Sequence, residues 1–127
     1  MSYDGNAIAE ALAAILSEID ATVPAFAQPP ETVNPPAYIV GLDESVEFDV
    51  AGFGMDLARL PVICCAGPFE TARVRELRDA AKAAVDADRT LGGLNAAVTG
   101  RSSRNPRLMT IAGAQLLALD LILEIRQ

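Results

Sequence analysis

Near the start of the chain, apolar side chains fall at Ile8, Leu12, Ile15, Leu16 and Ile19, spacings that place all five on one face of a helix. The pattern predicts a first helix over Asp4 to Ala21. Asp4 or Asn6 can start it by accepting from exposed backbone amides, and Pro24 ends it by keeping Val23 out of helical geometry. The stretch Pro24 to Pro36 carries prolines at 24, 29, 30, 35 and 36 with polar residues between them. It reads as an extended strap from the helix to the first strand.

Short alternating segments follow and predict three strands: Ala37 to Val40, Ser45 to Val50 and Leu60 to Cys65. Between the last two, residues Ala51 to Asp56 form a Gly-punctuated loop with Phe53 and Met55 at its tip. These apolar side chains either fold back onto the core or contact a partner. Gly67-Pro68-Phe69-Glu70 then places Pro at the first position of a second helix running to about Ala87. Its buried stripe is Val74, Leu77, Ala81, Ala84 and Val85, and Glu70 with Arg73 and Asp79 with Lys82 are weak surface pairs.

The Gly92-Gly93 turn leads into a strand from Leu94 to Thr99, and a loop from Gly100 to Arg107 follows. Leu108 to Ala112 adds a further short strand. The last segment, Gln115 to Gln127, alternates Leu117, Leu119, Leu121, Leu123 and Ile125 with Ala118, Asp120, Ile122, Glu124 and Arg126. Asp120, Glu124 and Gln127 also share a helical face, but the alternation is long and favours a strand, apolar enough to be central in the sheet. The fold expected is therefore α+β over residues 1–127 as one domain. It has a mixed or antiparallel sheet of about five to six strands, with two helices packed on one face.

Composition narrows the function. The chain has 127 residues, net charge −7 and no His. Without His, the commonest general base and the commonest zinc ligand are both missing, so no metal or cofactor site is expected. The acidic balance gives no electrostatic footprint for specific nucleic-acid binding or for an anionic membrane. Carboxylate-only catalysis would have to use Asp43, Glu44, Asp86 or Asp88, all at loops or helix ends. The opening residues lack a basic segment followed by an apolar stretch, so synthesis and folding in the cytosol are expected.

Two local features remain. Cys64 and Cys65 are adjacent, so in an extended strand one thiol enters the core while the other faces a second layer or a partner. Arg101, Arg104 and Arg107 make a basic loop in an otherwise acidic chain. The loop either docks onto an acidic partner or is simply solvated.

Several parts of this layout resemble tail terminator (tail completion) proteins of long-tailed, non-contractile bacteriophages. They are the first helix, the Pro35-Pro36-Ala37-Tyr38 entry to the first strand, the second helix running into Asp88-Arg-Thr-Leu-Gly-Gly93, and the acidic alternating final strand. The resemblance implies a structural virion protein with no enzymatic activity, assembled in the host bacterial cytoplasm and located in the tail at the head–tail junction. It also implies a hexameric ring whose partners are the tail tube protein and the head–tail connector or stopper. DNA would pass through an acidic lumen without specific binding. On that reading the interface candidates are Phe53, Met55 and Asp56 of the first loop, with Arg101, Arg104 and Arg107 of the second. Another neck or connector protein, or a small α+β ligand-binding domain, fits the same layout.

Overall fold

The computed structural model describes residues 3–50, 54–111 and 113–127. In chain order the elements are α1 (Gly5–Ser17), β1 (Ala25–Phe26), β2 (Ala37–Val40), β3 (Ser45–Val50), β4 (Met55–Ala66), α2 (Thr71–Ala87), β5 (Ala97–Ser103), β6 (Arg107–Ile111) and β7 (Ala114–Arg126). The fold is α+β, with two helices on one face of a seven-stranded mixed sheet. None of its described helices is long and apolar enough to cross a membrane.

The sheet is built on two long strands. β4 and β7 pair antiparallel from Leu57 opposite Arg126 to Ala66 opposite Leu117. Along the outer edge of β4 lie β2 and then β3, which continue in the same direction after a break at residues 41–44. Along the outer edge of β7 lie β5 and then β6, with a break at residues 104–106. The chain thus runs twice through the same plan: a helix, a broken edge strand and a long central strand. β1 adds to β2 in parallel, which makes the sheet mixed.

Pro61 shows why the break on the β4 edge is tolerated. Its carbonyl accepts the Gly41 amide at 2.9 Å, so that side of Pro61 faces the gap between β2 and β3. The missing N–H therefore costs no ladder bond. On the other edge, Gly100 sits at a register shift against Glu124, where a Cβ would come within 2.7 Å of the carboxylate. A larger residue there would have to push the Glu124 carboxylate aside.

On the helix-covered face, Ile8, Leu12 and Leu16 of α1 and Val74, Leu77, Ala81 and Val85 of α2 pack on Tyr38, Val40, Leu60, Val62, Cys64 and the odd-numbered residues of β7 from Leu117 to Ile125. The Tyr38 hydroxyl donates to the Leu77 carbonyl at 2.8 Å, so the largest core side chain ties α2 to β2 without stranding a polar atom. The opposite face holds a smaller cluster in which Val33 of the strap covers Ala37, Ile39, Cys65 and Leu116. The two cysteines therefore lie on opposite faces, both free and both fully buried, and the strap is the second layer that covers Cys65.

Element ends depart from expectation for local reasons. Asp4 caps α1 by accepting from Ala7, but the helix stops at Ser17. Beyond it Asp20 accepts from both the amide and the hydroxyl of Thr22, a turn that competes with helix continuation. α2 starts at Thr71, so Pro68 precedes the helix, and Glu70 bonds back to the Gly67 amide. Ala84 is only half-buried, and the pairs on this helix are Arg73 with Glu76, Arg78 with Asp79 and Lys82 with Asp86. The strand expected at Leu94 begins at Ala97, because the backbone turns left-handed at Leu91, Gly92, Gly93 and Asn95. Met55 and Asp56, expected in a loop, are the first residues of a twelve-residue β4, and Gly100 to Ser103 belong to β5. β7 is central as expected but is buried on both faces rather than one.

Burial pushes the Cys65 thiol up to about 11 and the Cys64 thiol further. A thiol reagent such as Ellman's is therefore expected to leave the native protein unlabelled and to modify both cysteines in denaturant. Rapid native labelling would show that one face of the sheet is open.

Candidate interaction surfaces

At one end of the sheet β3 and the first residues of β4 form an arm, in which Leu57 to Arg59 still pair with β7 and Met55 lies just beyond its end. The root of this arm is held by hydrogen bonds to residues distant in sequence. Asp56 exchanges both backbone hydrogen bonds with Gln127, at 2.9 and 3.1 Å. Its carboxylate accepts from the Tyr3 amide at 2.7 Å and the Asp49 amide at 3.0 Å. The Gln127 side chain accepts from the Asp4 amide at 2.7 Å and donates to the Leu94 carbonyl. Asp49, at φ 52, accepts from the Gly54 amide at 2.7 Å.

Asp56 is thus an internal fastener, 6% exposed, with both carboxylate oxygens turned inward. Hydrogen bonds from the Asp49 amide first and the Tyr3 amide second hold its carboxyl below the usual Asp range. Met55 is 40% exposed at the root of the arm. Phe53 lies outside the described residues. Phe48, not singled out by the sequence reading, is the large exposed side chain of the arm at 75%. It sits on an alternating strand whose pattern reads as a buried face, so the signal pointed away from it.

The three arginines of the second candidate patch are all engaged inside the chain. Arg101 Nε lies 2.8 Å from Asp86 Oδ1, a carboxylate that Lys82 also reaches at 2.8 Å. The Lys82 hydrogen bond, helped by the nearby Arg101 charge, keeps the Asp86 carboxyl low. Arg107 Nη1 lies 2.8 Å from Oδ1 of Asp120, and Arg104 Nη1 3.9 Å from its Oδ2. Arg104 also pairs with Glu44 and donates its amide to the Asp120 carbonyl. Arg104 thereby connects the breaks on both edges of the sheet across the face opposite the helices. The Arg101 and Arg107 contacts are ionic rather than aligned hydrogen bonds, since Arg101 Nε and the Oδ1 atoms of Asp86 and Asp120 have no hydrogen-bond partner.

Further acids have structural partners. Asp43 accepts from the Tyr3 hydroxyl at 2.7 Å, and Asp88 accepts from the Gly92 amide and the Thr90 hydroxyl. Among the described residues, no three His, Cys, Asp or Glu side chains are placed to hold a metal ion.

Two more surfaces stand out. A groove of about 850 Å³, open to solvent, runs between the first turns of α1, the strap and the break after β2. At the opposite sheet edge, the β6–β7 hairpin carries Leu108 at 60% exposure. Against protein-family models and curated proteins, the chain gives no match.

Two predictions follow from these ion pairs. Replacing Arg107 with Ala leaves Asp120 buried beside a distant Arg104, and is expected to cost about 2 to 3 kcal/mol in urea unfolding. Replacing Lys82 with Ala, at a half-exposed surface pair, is expected to change stability by less than about 0.5 kcal/mol. Because the Asp56 and Asp86 carboxyls are held low, the stability they contribute is complete above the unfolded Asp value of about 3.9 and is lost as pH falls through their lower folded values. The acid limb of a pH–stability profile is expected to flatten in Asp56→Asn.

Proposed function

We propose that this chain is a structural protein of a tailed-phage virion, a tail-terminator-like subunit that forms a ring on the end of the tail tube. The ring would stop tube polymerisation and present the attachment surface for the head connector. The observation that carries the reading is the contrast between a densely buried interior and the large apolar side chains left exposed at its surface. Core side chains from both helices and all the long strands are near 0% exposed, while among the described residues Leu42, Phe48, Met55, Phe69 and Leu108 are exposed, with Phe48 and Leu108 on the edge strands β3 and β6. Several large apolar side chains left exposed on a small chain are a poor arrangement for a monomer and a good one for a subunit. The sequence layout resembles the same class, and the −7 charge of each copy suits a ring through which DNA slides.

The test is electron microscopy of tail-tube protein polymerised with and without this chain. Length-limited tubes with an added ring at one end are the expected result. Bare tubes of unregulated length, with the protein found at the head vertex, would move the assignment to a head-side connector. Phe48→Ala or Met55→Ala is expected to release length control, whereas Glu76→Ala on the outer face of α2 is expected to leave it intact.

A further inference from the structure

Charge is divided unequally along the chain. The first 58 residues hold ten of the 17 Asp and Glu and none of the ten Lys and Arg, whereas the stretch from Arg89 to Leu119 holds four arginines and no acid. The fold turns this division into two unlike edges. The acidic half supplies β1, β2 and β3 on the outer side of β4, and the acid-free stretch supplies β5 and β6 on the outer side of β7. Two acidic edges repel one another, so a symmetric contact of β3 with β3 is disfavoured, and an acidic edge against an acid-free one is favoured. A ring of identical copies needs two such different patches on each subunit.

Among the described residues β3 pairs with β4 alone and β5 with β7 alone, so each leaves one edge without a partner strand. Neither strand contains the Lys or Pro that commonly blunts an open edge, and the acids of β3 oppose a like edge but not an acid-free one. The two edges lie at nearly one level. Ser45 stands opposite Arg59, Arg59 opposite Glu124, and Glu124 opposite Gly100. All three pairings are antiparallel, so β3 and β5 run in opposite directions, and a second copy stepped sideways brings its β5 antiparallel to β3. The regular stretches are Ser45 to Glu47, before β3 shifts register, and Gly100 to Ser103, after β5 does. Earlier in β5 the Val98 amide is already taken by the Arg89 carbonyl at 2.8 Å. A slide of two residues along the strands, about 7 Å, brings the two regular stretches together.

Phe48 gives the acidic edge an apolar anchor. Val46 stands opposite Ala58 on the helix-covered side of β4, and alternation puts Phe48 on that side too. Yet no described residue of β3 joins the core beneath the helices, and Phe48 is 75% exposed. Over β5, by contrast, lies α2, with Asp86 Oδ1 2.8 Å from Arg101 Nε and Arg78 Nη1 3.3 Å from the Ser103 hydroxyl.

We propose that the start of β3, Ser45 to Phe48, adds antiparallel to Gly100–Ser103 of β5 in a second copy and extends one sheet across the subunit boundary. This contact rests on the ring proposed above and names the edges that form it. Ser45, Val46 and Glu47 come opposite Ser102, Arg101 and Gly100, and Phe48 moves under the C-terminal end of the neighbour's α2, where the half-exposed Arg89 can lie on its ring. Main-chain hydrogen bonds supply affinity, while Phe48 and the division of charge select the edge. The contact is head-to-tail, so every copy uses one edge of each kind.

The test uses two variants at exposed positions, Phe48→Asp on the acidic edge and Ser102→Asp on the other. Each alone is expected to weaken self-association about tenfold or more in analytical ultracentrifugation, with an unchanged thermal melt. Mixed in equal amounts, the two are expected to recover a one-to-one dimer and stop there, because each keeps the edge that the other has lost. A symmetric contact gives no such rescue. Ser45→Cys mixed with Ser102→Cys is expected to form a disulfide dimer on mild oxidation, since the native thiols are buried, and Ser102→Cys mixed with Glu76→Cys is expected to form none. A wild-type chain that stays monomeric at its highest soluble concentration overturns the contact. If tubes carry a ring and keep their length control yet the Asp pair gives no dimer, the contact is overturned while the ring reading stands. If tubes are neither capped nor length-limited, the ring reading fails, and a dimer from the Asp pair still upholds the contact.

Discussion

The rest of the structure hangs on the antiparallel pair of β4 and β7. Each of these strands supplies a row of apolar side chains to the helix-covered core, and each offers its outer edge to a broken partner strand. Both strands bury apolar side chains, β7 on both faces, and at roughly 25 cal/mol per Å² such burial dominates the favourable terms of folding. The helices add little through propensity alone. α1 and α2 are placed because Leu12, Leu16, Leu77 and Ala81 need the same sheet face.

The polar groups near that pair are arranged to avoid burying charge alone. Asp120 lies mid-strand on β7 at 4% exposure, where an isolated carboxylate would cost several kcal/mol. Arg107 and Arg104 come to it from the neighbouring edge, and Arg104 continues to Glu44 on the other edge. A basic cluster in the sequence is thus largely consumed inside the fold. What it leaves at the surface is the part of Arg107 and Arg104 that still faces solvent, next to an acid-free hairpin.

The assembly proposed above draws on the same geometry. The two broken edge strands finish at opposite ends of the sheet, β3 near the end of β7 and β6 near the end of β4, with Phe48 exposed on one and Leu108 on the other. The first is fastened at its root by Asp56 and Gln127, which join it to the residues ahead of α1. A fastened arm loses less conformational entropy on docking than a floppy one, so in the proposed assembly a small apolar patch around Phe48 would suffice.

What the sequence determined by itself is whatever depends on local periodicity. The stripe of Ile8, Leu12 and Leu16, the core face of α2, the alternation of β7 and the opposite faces of Cys64 and Cys65 were all legible, because side-chain direction repeats every 3.6 or 2 residues whatever the neighbours. The α+β class, with both helices on one sheet face, follows from the order of those periods. Only the tertiary structure decided where strands end and what charges meet. β4 reaches back to Met55 because β3 and the backbone of Gln127 are there to bond it, and Asp56 turned from an exposed candidate into a buried fastener for the same reason. Arg104 finds Glu44 sixty residues away, a pairing no local pattern encodes. Phe48 alternates like a core residue yet stays exposed, since burial is a property of what packs opposite, and that is set by the whole fold.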